Sequence, residues 1–249
     1  MSEEIEKIYD KNVLIMLSGG RDSFLTTCKM IAKGYHVHLV TYDNGCISGL
    51  DNIKILYQRI KERFGEERVS VVGVCLMAQN IKTFLNKIFY EEIFEICKKY
   101  PHLITNQAHC LVCHSVMYLH AIAYCKVQGI TNIAEGAREQ QMFFVELPEM
   151  KKRYMDLCKR YGINLYMPVY DLDSDYKRKE ELAEWGFLPK TYEPQCWIGC
   201  PMLKSLTDEQ RLDLAKYYDE EMLPYFDSVI KSLIEKKQVG MSCESEIYI

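Results

Sequence analysis

The chain has 249 residues, of which 48% are hydrophobic and 27% charged, and its formal net charge is -4. This composition is typical of a globular protein, and its slightly acidic balance argues against a strongly basic nucleic-acid binder, although a local basic patch is compatible with it. No uninterrupted apolar run approaches the roughly 20 residues that span a bilayer, and the acidic N-terminus lacks the pattern of a secretory signal. We therefore expect a cytoplasmic protein without a membrane partner.

Short apolar segments alternate with amphipathic ones along most of the chain. The predicted strands are residues 13–17, 36–45, 68–77, 130–137 and 163–171. The predicted helices are residues 22–33, 50–65, 81–100, 113–128, 150–162 and 174–186, the last with charges typical of a solvated face. This alternation predicts an α/β fold with a doubly wound parallel sheet. Two more helices, at about 207–218 and 224–237, lead us to expect one domain over residues 1–202 and a helical extension over residues 203–249.

The segment SGGRDS, residues 18–23, lies between the first predicted strand and the first predicted helix. Glycines let the backbone approach an anion, and the free N–H groups at a helix start attract phosphate. Ser18 and Ser23 can donate hydroxyl hydrogen bonds. Asp22 can hold Mg2+, and Arg21 can reach an outer phosphate. The spacing is neither that of a Walker loop nor that of a dinucleotide-binding loop, and a simple tight turn is the alternative.

SGGRDS resembles the Ser-Gly-Gly-x-Asp-Ser signature of the PP-loop ATP pyrophosphatases, at the position where they carry it. The resemblance covers roughly residues 12–202 and implies a HUP-like fold with ATP and Mg2+ as cofactors. These enzymes cleave ATP between the α and β phosphates, place AMP on a carbonyl or carboxyl oxygen, and let ammonia or sulfide displace it. Among the loop residues, the resemblance implies catalytic roles for Arg21, Asp22 and Ser23. It implies nucleotide binding by Ser18, Gly19, Gly20, Asp22 and Ser23.

Two later segments resemble the same enzymes. TYDNG, residues 41–45, ends the second predicted strand, where the family holds adenosine, and this implies Tyr42 and Asp43 as nucleotide contacts. IAEGAREQQ, residues 133–141, resembles a loop that often reads Gly-His-x-x-Asp-Asp, and implies Gly136 and Glu139 in the site. Because the acidic pair is reduced to Glu139, a second metal-holding role stays open. Arg138 can instead contact phosphate.

Four of the 11 cysteines are grouped: Cys110 and Cys113 in HCLVCH, and Cys196 and Cys200 in QCWIGCP. Cytoplasmic cysteines do not predict a disulfide framework. Closely spaced thiolates can instead converge on Zn2+ or on an iron–sulfur cluster. We expect HCLVCH to lie just before a helix and the two cysteine groups to form one metal site.

The cysteine order resembles that of iron–sulfur tRNA thiolases such as the 2-thiocytidine synthetases. In that family three cysteines hold a 4Fe-4S cluster, which implies Cys110, Cys113 and one or both of Cys196 and Cys200 as ligands. The acceptor would be tRNA or a small molecule, with a sulfur-donor protein and a homodimer as further expected partners.

Other segments support two alternatives. ELPEMKKRY, YMPVYDLD and KTYEPQCWIGC resemble 7-cyano-7-deazaguanine synthase, which implies a nitrogen nucleophile and structural Zn2+. A non-catalytic nucleotide-binding protein on the same fold is the second alternative.

Overall fold

The computed structural model describes residues 11–141, 143–198 and 205–235. Its strands are β1 (Asn12–Met16), β2 (His36–Asp43), β3 (Ile47–Ser48), β4 (Val69–Leu76), β5 (Asn132–Glu135), β6 (Asn164–Tyr166) and β7 (Gln195–Cys196). Five of them form one parallel sheet in the order β4-β2-β1-β5-β6. The five predicted strands and the doubly wound α/β fold are thereby confirmed. The antiparallel pair β3–β7 was not predicted.

Helices cover both faces of the central sheet. They are α1 (Arg21–Ala32), α2 (Asn52–Phe64), α3 (Ala78–Leu85), α4 (Ile93–Lys99), α5 (Thr105–Gln128), α6 (Pro148–Arg160), α7 (Asp175–Glu184), α8 (Asp208–Tyr217) and α9 (Phe226–Glu235). The helix predicted over 81–100 is divided by a π-helical turn at Asn86–Tyr90 and a turn at 91–92. The helix predicted from residue 113 begins instead at Thr105.

The strand order positions the loop that follows β1. From β1 the chain proceeds through α1 to β2 and then to β4, all on one side of β1. It later returns to add β5 and β6 on the other side. Such a reversal opens a crevice at the carboxyl ends of the strands, which is where α/β proteins bind ligands. In this chain the crevice lies between β1 and β5, and residues 18–23 line it.

Helix α5 is the central element of the larger core. By length and apolar composition it could cross a membrane, but 67% of its most apolar stretch is buried inside the protein. Leu111, Val116 and Leu119 are fully or almost fully buried among side chains of the sheet and of other helices. We therefore interpret α5 as a core helix rather than a membrane span.

The two C-terminal helices pack into this same core. Phe226, Ile230 and Leu233 of α9 are buried in one hydrophobic cluster with the side chains of α5. A capping box at Thr207 begins α8, in agreement with the predicted helix start. The division of the chain at residue 202 stays a prediction.

Candidate active site

The loop after β1 is built as an anion cradle. Gly19 has a φ of +87°, a backbone conformation that residues other than glycine rarely adopt. Gly20 is the N-cap of α1 and has no side chain to cap the first N–H groups of the helix. The Ser18 and Ser23 hydroxyls lie 3.1 Å apart, and Ser23 Oγ donates to the Gly20 carbonyl at 3.0 Å. The loop therefore combines an uncapped helix start with two ordered hydroxyl groups.

A carboxylate from a distant segment lies against this loop. Tyr192 N donates to Gly19 O at 2.8 Å, and a Cβ placed on Gly20 would lie 2.9 Å from Glu193 Oε2. Burial and the charge of Asp22 raise the pKa of Glu193, while a hydrogen bond with Ser18 opposes the shift. The Glu193 carboxylate thus lies where the loop can receive an anion.

Gly136 fixes the distance between the end of β5 and the start of α1. A Cβ on Gly136 would lie 2.4 Å from Ser23 N and 2.7 Å from Ser23 Cα, both backbone atoms that flexible side-chain movement cannot relieve. The sequence prediction of Gly136 as a site residue therefore has a steric reason in the structure. Its role in nucleotide binding stays a prediction.

Gly136→Ala is expected to push the two segments apart, lowering the free energy of unfolding by about 1–3 kcal/mol and weakening ATP binding about tenfold. Gly162→Ala is the matched control, because Gly162 has a φ of +71° and open space around its Cβ position. That change carries only the strain of a left-handed residue, about 1–2 kcal/mol, and should leave ATP binding unchanged. Denaturant unfolding and calorimetric ATP titration measure both effects. Equal ATP affinity in the two variants would contradict the steric role of Gly136.

Asp22 is held by two guanidinium groups. Arg138 Nε donates to Asp22 Oδ2 at 3.0 Å, and Arg178 Nη1 donates to Oδ1 and Oδ2 at 2.7 and 2.9 Å. Arg178 also donates to Asp175 Oδ1 at 2.7 Å, and Arg21 pairs with that same oxygen at 3.1 Å. The predicted residues Arg21, Asp22 and Arg138 therefore belong to one charged network at the start of α1. Arg178, on the helix expected to be a solvated face, is only 7% exposed, so that expectation is wrong at this position.

Two carboxyl groups with raised pKa values, the buried Glu135 and the half-buried Glu146, lie near this region. Tyr118 OH donates a short hydrogen bond to Glu135 Oε1 at the end of β5. Burial raises the pKa of Glu135 to about 7, and the hydrogen bond from Tyr118 opposes part of this shift. Burial and the charge of Glu135 raise the pKa of Glu146 to about 8. Both groups favour the protonated form well above the ordinary pKa of a carboxyl group.

These shifts predict how stability depends on pH. A carboxyl group whose pKa is raised in the folded state stabilises the protein below its unfolded pKa and loses that contribution as pH rises through the folded value. The stability advantage of Glu135→Gln over wild type should therefore grow between pH 5 and pH 8. Because both proteins contain the same histidines, the contribution of these histidines to the pH dependence of stability cancels in the difference. Urea unfolding at several pH values measures it, with the exposed Glu62→Gln as a control, and a difference independent of pH would contradict the assignment.

Four cysteines lie close together around residues 44–48, the segment that follows β2. Cys110 and Cys113 are one turn apart inside α5, not before it as predicted. Asn44 Nδ2 lies 3.5 Å from Cys113 Sγ and 3.7 Å from Cys196 Sγ, so one amide group contacts both predicted cysteine groups. In the β3–β7 ladder Ile47 pairs with Cys196, and Trp197 N donates to Cys46 O at 2.8 Å. The fold thus brings Cys46, Cys110, Cys113 and Cys196 to one place.

The chemistry of this thiol cluster suits a thiophilic metal. Burial raises the pKa of Cys113 to about 12, the hydrogen bond from Asn44 opposes the shift, and neighbouring Cys110, Cys196 and Cys46 add to it. A bound metal ion would lower the pKa again, because it favours the thiolate. Across residues 11–141, 143–198 and 205–235 no group of three or more His, Cys, Asp or Glu side chains has a metal-binding arrangement. The donor types fit zinc or an iron–sulfur cluster, whereas the side-chain positions do not form a closed ligand set.

The two nucleotide contacts predicted at the end of β2 are Tyr42 and Asp43. Tyr42 packs against the larger core and lines a small pocket with Cys75 and His120. Asp43 Oδ1 accepts a hydrogen bond from Gly45 N at 2.8 Å and shapes the turn before Cys46. The predicted nucleotide contacts of both residues stay predictions.

Two further predictions concern the late loop and the last cysteine. Glu139 begins a short 3-10 helix, Glu139–Gln141, and is exposed. Its place in the nucleotide site stays a prediction. Cys200 lies outside the described residues, so its place among the ligands also stays a prediction.

Sequence reasoning missed several residues of this region. Asn44 lies at the end of the strand predicted over residues 36–45 and Cys46 directly follows it, and this position could have indicated them. Glu193 and Arg178 carry no local signal, because distant loop residues determine their positions. Glu135 could have been found as an acidic residue at the end of a buried strand.

Comparison with known proteins identifies the family and the fold. Residues 9–143 match the family model described as thiamine biosynthesis protein (ThiI). The structure is similar to a 4-thiouridine synthetase solved as an RNA complex with bound ATP, with a TM-score of 0.61 and 13% identity over 90% of this chain. This chain covers 53% of that protein, about half of its length. A predicted subunit of tRNA methyltransferase from Methanocaldococcus jannaschii gives a TM-score of 0.41 and 19% identity, with 75% of this chain and 96% of that one covered. No curated protein sequence matches the chain.

The family match extends over more than half of the 249 residues and contains the loop of residues 18–23, the Cys-x-x-Cys of α5 and Gly136. The structural match covers the same α/β sheet. The superfamily predicted from the SGGRDS signature is confirmed: the chain belongs to the ThiI family of PP-loop ATP pyrophosphatases.

Proposed function

We propose that this protein uses ATP to adenylate an oxygen atom of its acceptor and then replaces that oxygen with sulfur, with tRNA as the acceptor. The main supporting observation is that residues 192–197 contact both the loop of residues 18–23 and the thiol cluster. Tyr192 N donates to Gly19 O, while Trp197 N, five residues later, donates to Cys46 O, each at 2.8 Å. An activated oxygen is useful only where its nucleophile is held close by.

The reaction has two steps. In the first, a carbonyl oxygen of the acceptor attacks the α phosphorus of ATP, the bond to the β phosphate breaks, and pyrophosphate leaves. The residues of the 18–23 loop hold the pyrophosphate end, and Asp22 would hold Mg2+. In the second step, sulfide attacks the activated carbon, a carbon–sulfur bond forms, and AMP leaves with the former carbonyl oxygen.

The thiol cluster supports sulfur rather than nitrogen as the nucleophile. Cys110, Cys113 and one of Cys196, Cys200 and Cys46 would hold three irons of a 4Fe-4S cluster, which would leave the fourth iron open. Such a cluster supplies an iron site that can present sulfide. The Asn44 side chain, in contact with two of these sulfurs, would orient them. Structural Zn2+ is the competing occupant of the same thiols, as in the deazaguanine-synthase-like alternative.

The choice of tRNA rests on similarity and on the acceptor chemistry. The 4-thiouridine synthetase with the same fold was solved with RNA and ATP. This chain covers 53% of that protein, so RNA binding by this chain itself is part of the proposal. A small thiolated precursor is the second candidate, favoured by the description of the family as thiamine biosynthesis proteins. A sulfur-donor protein and a cytoplasmic location belong to this proposal.

The first experiment is metal and acid-labile sulfide analysis of protein purified without oxygen. We expect about four iron and four sulfide per chain. About one zinc per chain would instead favour a structural zinc site at these cysteines and a nitrogen nucleophile.

The second experiment incubates the protein with ATP, Mg2+, sulfide and unmodified tRNA. We expect AMP and pyrophosphate in equal amounts, together with thiolated tRNA that is retarded in a gel containing an organomercury compound. Release of AMP and pyrophosphate only with small acceptors would support the thiamine-related candidate. Absence of both products with either acceptor would overturn the adenylation proposal and favour a nucleotide-binding protein without catalysis.

A further inference from the structure

Arg178 lies at the entrance of the nucleotide loop in an unusual environment. It projects from α7, whose neighbouring positions Lys177 and Lys179 are exposed, yet its own side chain is buried. Its Nη1 atom binds both carboxylate oxygens of Asp22, and its Nη2 atom binds Asp175 Oδ1 at 2.7 Å. A buried guanidinium is retained at such a site when it has charged partners.

These contacts leave part of the guanidinium unused. The buried Nε of Arg178 has no acceptor among the side chains and backbone of the described ranges. An unpaired buried donor costs free energy, and in native structures such a group calls for an explanation, for example a functional role or a bound partner. The guanidinium is also directly linked, through Asp22, to the start of α1, where the nucleotide phosphates are proposed to bind.

The charge balance around Asp22 supports the same interpretation. One carboxylate is shared by Arg138 and Arg178, with Asp22 Oδ2 accepting from both. Asp175 is likewise shared by Arg178, Arg21 and Lys179. Counted once each, Arg21, Arg138, Arg178 and Lys179 carry four positive charges, whereas Asp22, Asp175 and the nearby Glu193 carry at most three negative charges. A polyphosphate anion would remove this excess, and the planar guanidinium fork suits phosphate oxygens well.

The same contacts also oppose a metal ion. Mg2+ at Asp22 would need a lone pair of a carboxylate oxygen, but both oxygens already accept hydrogen bonds from guanidinium groups, whose charge repels a divalent cation. Movement of one guanidinium to another anion would therefore favour Mg2+ binding at Asp22.

We propose that Arg178 is a phosphate-binding residue that exchanges Asp22 for a phosphate oxygen of ATP, and so makes Mg2+ binding at Asp22 depend on the nucleotide. This inference rests on the proposed use of ATP and adds a residue and an order to it. Without nucleotide, Arg178 holds Asp22 and excludes the cation. With ATP bound, Arg178 contacts the pyrophosphate end, and the carboxylate becomes available to the metal.

The experiment uses the full chain and two ligands, inorganic pyrophosphate and Mn2+ as a paramagnetic substitute for Mg2+. Arg178→Gln should weaken pyrophosphate binding about tenfold or more in calorimetry. The same variant should bind Mn2+ without nucleotide about tenfold more tightly than wild type in electron paramagnetic resonance titrations. Lys177→Gln is the matched control, since it removes the same charge from an exposed position of α7 and should change neither affinity.

A second variant tests the exchange in the opposite direction. Asp175→Asn removes a competing carboxylate whose side chain is 45% exposed, and should strengthen pyrophosphate binding about threefold or more. Because Arg21 pairs with the same carboxylate, a purely structural role for Arg178 predicts an equal gain when Asp175→Asn is combined with Arg178→Lys, whereas the exchange predicts a smaller gain in that double variant. Arg178→Lys keeps the charge but loses the fork, and should restore part of the lost affinity.

The outcomes separate this inference from the proposed function. Wild-type protein that binds neither ATP nor pyrophosphate would overturn both. Wild-type binding of ATP, with Arg178→Gln equal to Lys177→Gln for pyrophosphate and Mn2+, would overturn the exchange alone. If Arg178→Gln does not fold, as judged by circular dichroism, Asp175→Asn decides: an unchanged or weaker affinity rejects the exchange.

Discussion

Replacing Asp22 with alanine is expected to lower the rate of pyrophosphate release from ATP by at least about a hundredfold. Asp22 is the carboxylate at the start of α1, in the loop that would receive the phosphates, and Mg2+ there would neutralise charge that develops on the leaving pyrophosphate. A coupled assay of pyrophosphate release, with saturating ATP and acceptor, measures the rate. The metal content of the protein should remain unchanged, because the thiol cluster does not include Asp22.

The controls address charge and stability. Asp173→Ala removes a carboxylate that pairs only with the exposed Lys177 among its described contacts, and should retain the wild-type rate. Loss of Asp22 leaves Arg138 and Arg178 without their shared partner, which can destabilise the protein by about 3–5 kcal/mol. Asp22→Asn keeps the side-chain shape, and unfolding measurements should accompany both variants. A rate equal to wild type in a folded Asp22→Ala protein would remove Asp22 from the mechanism.

Replacing Cys113 with serine is expected to abolish binding of the metal centre and, with it, sulfur transfer. Cys113 is buried within the thiol cluster, and its sulfur accepts a hydrogen bond from Asn44. A serine hydroxyl is a poor ligand for zinc or for an iron–sulfur cluster. Iron, zinc and acid-labile sulfide are measured on anaerobically purified protein. ATP binding should stay within about twofold of wild type, because the nucleotide loop is a separate group of residues.

Cys97→Ser is the matched control, since Cys97 is an exposed cysteine on α4 outside the thiol cluster. It should retain metal content and activity. Cys46→Ser tests the cysteine that sequence reasoning missed, and partial loss of metal would include it among the ligands. Full metal content in Cys113→Ser would contradict the ligand assignment.

Local patterns predicted the sheet and the loop well. β1 is a short apolar segment followed by glycines. Its burial on two faces and the turn after it are both encoded by residues close together in the sequence. The carboxyl-end rule then indicates where a ligand binds, independently of the rest of the chain. The five strands and the position of residues 18–23 could therefore be predicted from sequence alone.

Other features depend on distant partners or lack a local signal. α5 begins after Ile104, which offers no side-chain hydrogen bond as a cap, so the helix start was placed too late. Ladder β3–β7 contains two residue pairs from distant parts of the sequence, too few to leave a hydrophobic pattern. The sequence around Arg178 is typical of a solvated helix, and only its tertiary contact with Asp22 distinguishes this residue. In each case the deciding interaction is tertiary.

The segment from Tyr192 to Trp197 also sets a length scale for the chemistry. Glu193 lies against the nucleotide loop and Cys196 is three residues further, so their Cα atoms are separated by no more than about 11 Å. Over such a span, the proposed reaction would not need a swinging arm or a carrier domain to move the acceptor between the nucleotide loop and the thiol cluster. In the proposed reaction, the acceptor would therefore need little movement between adenylation at the loop of residues 18–23 and sulfur transfer at the thiol cluster, which contact opposite ends of residues 192–197.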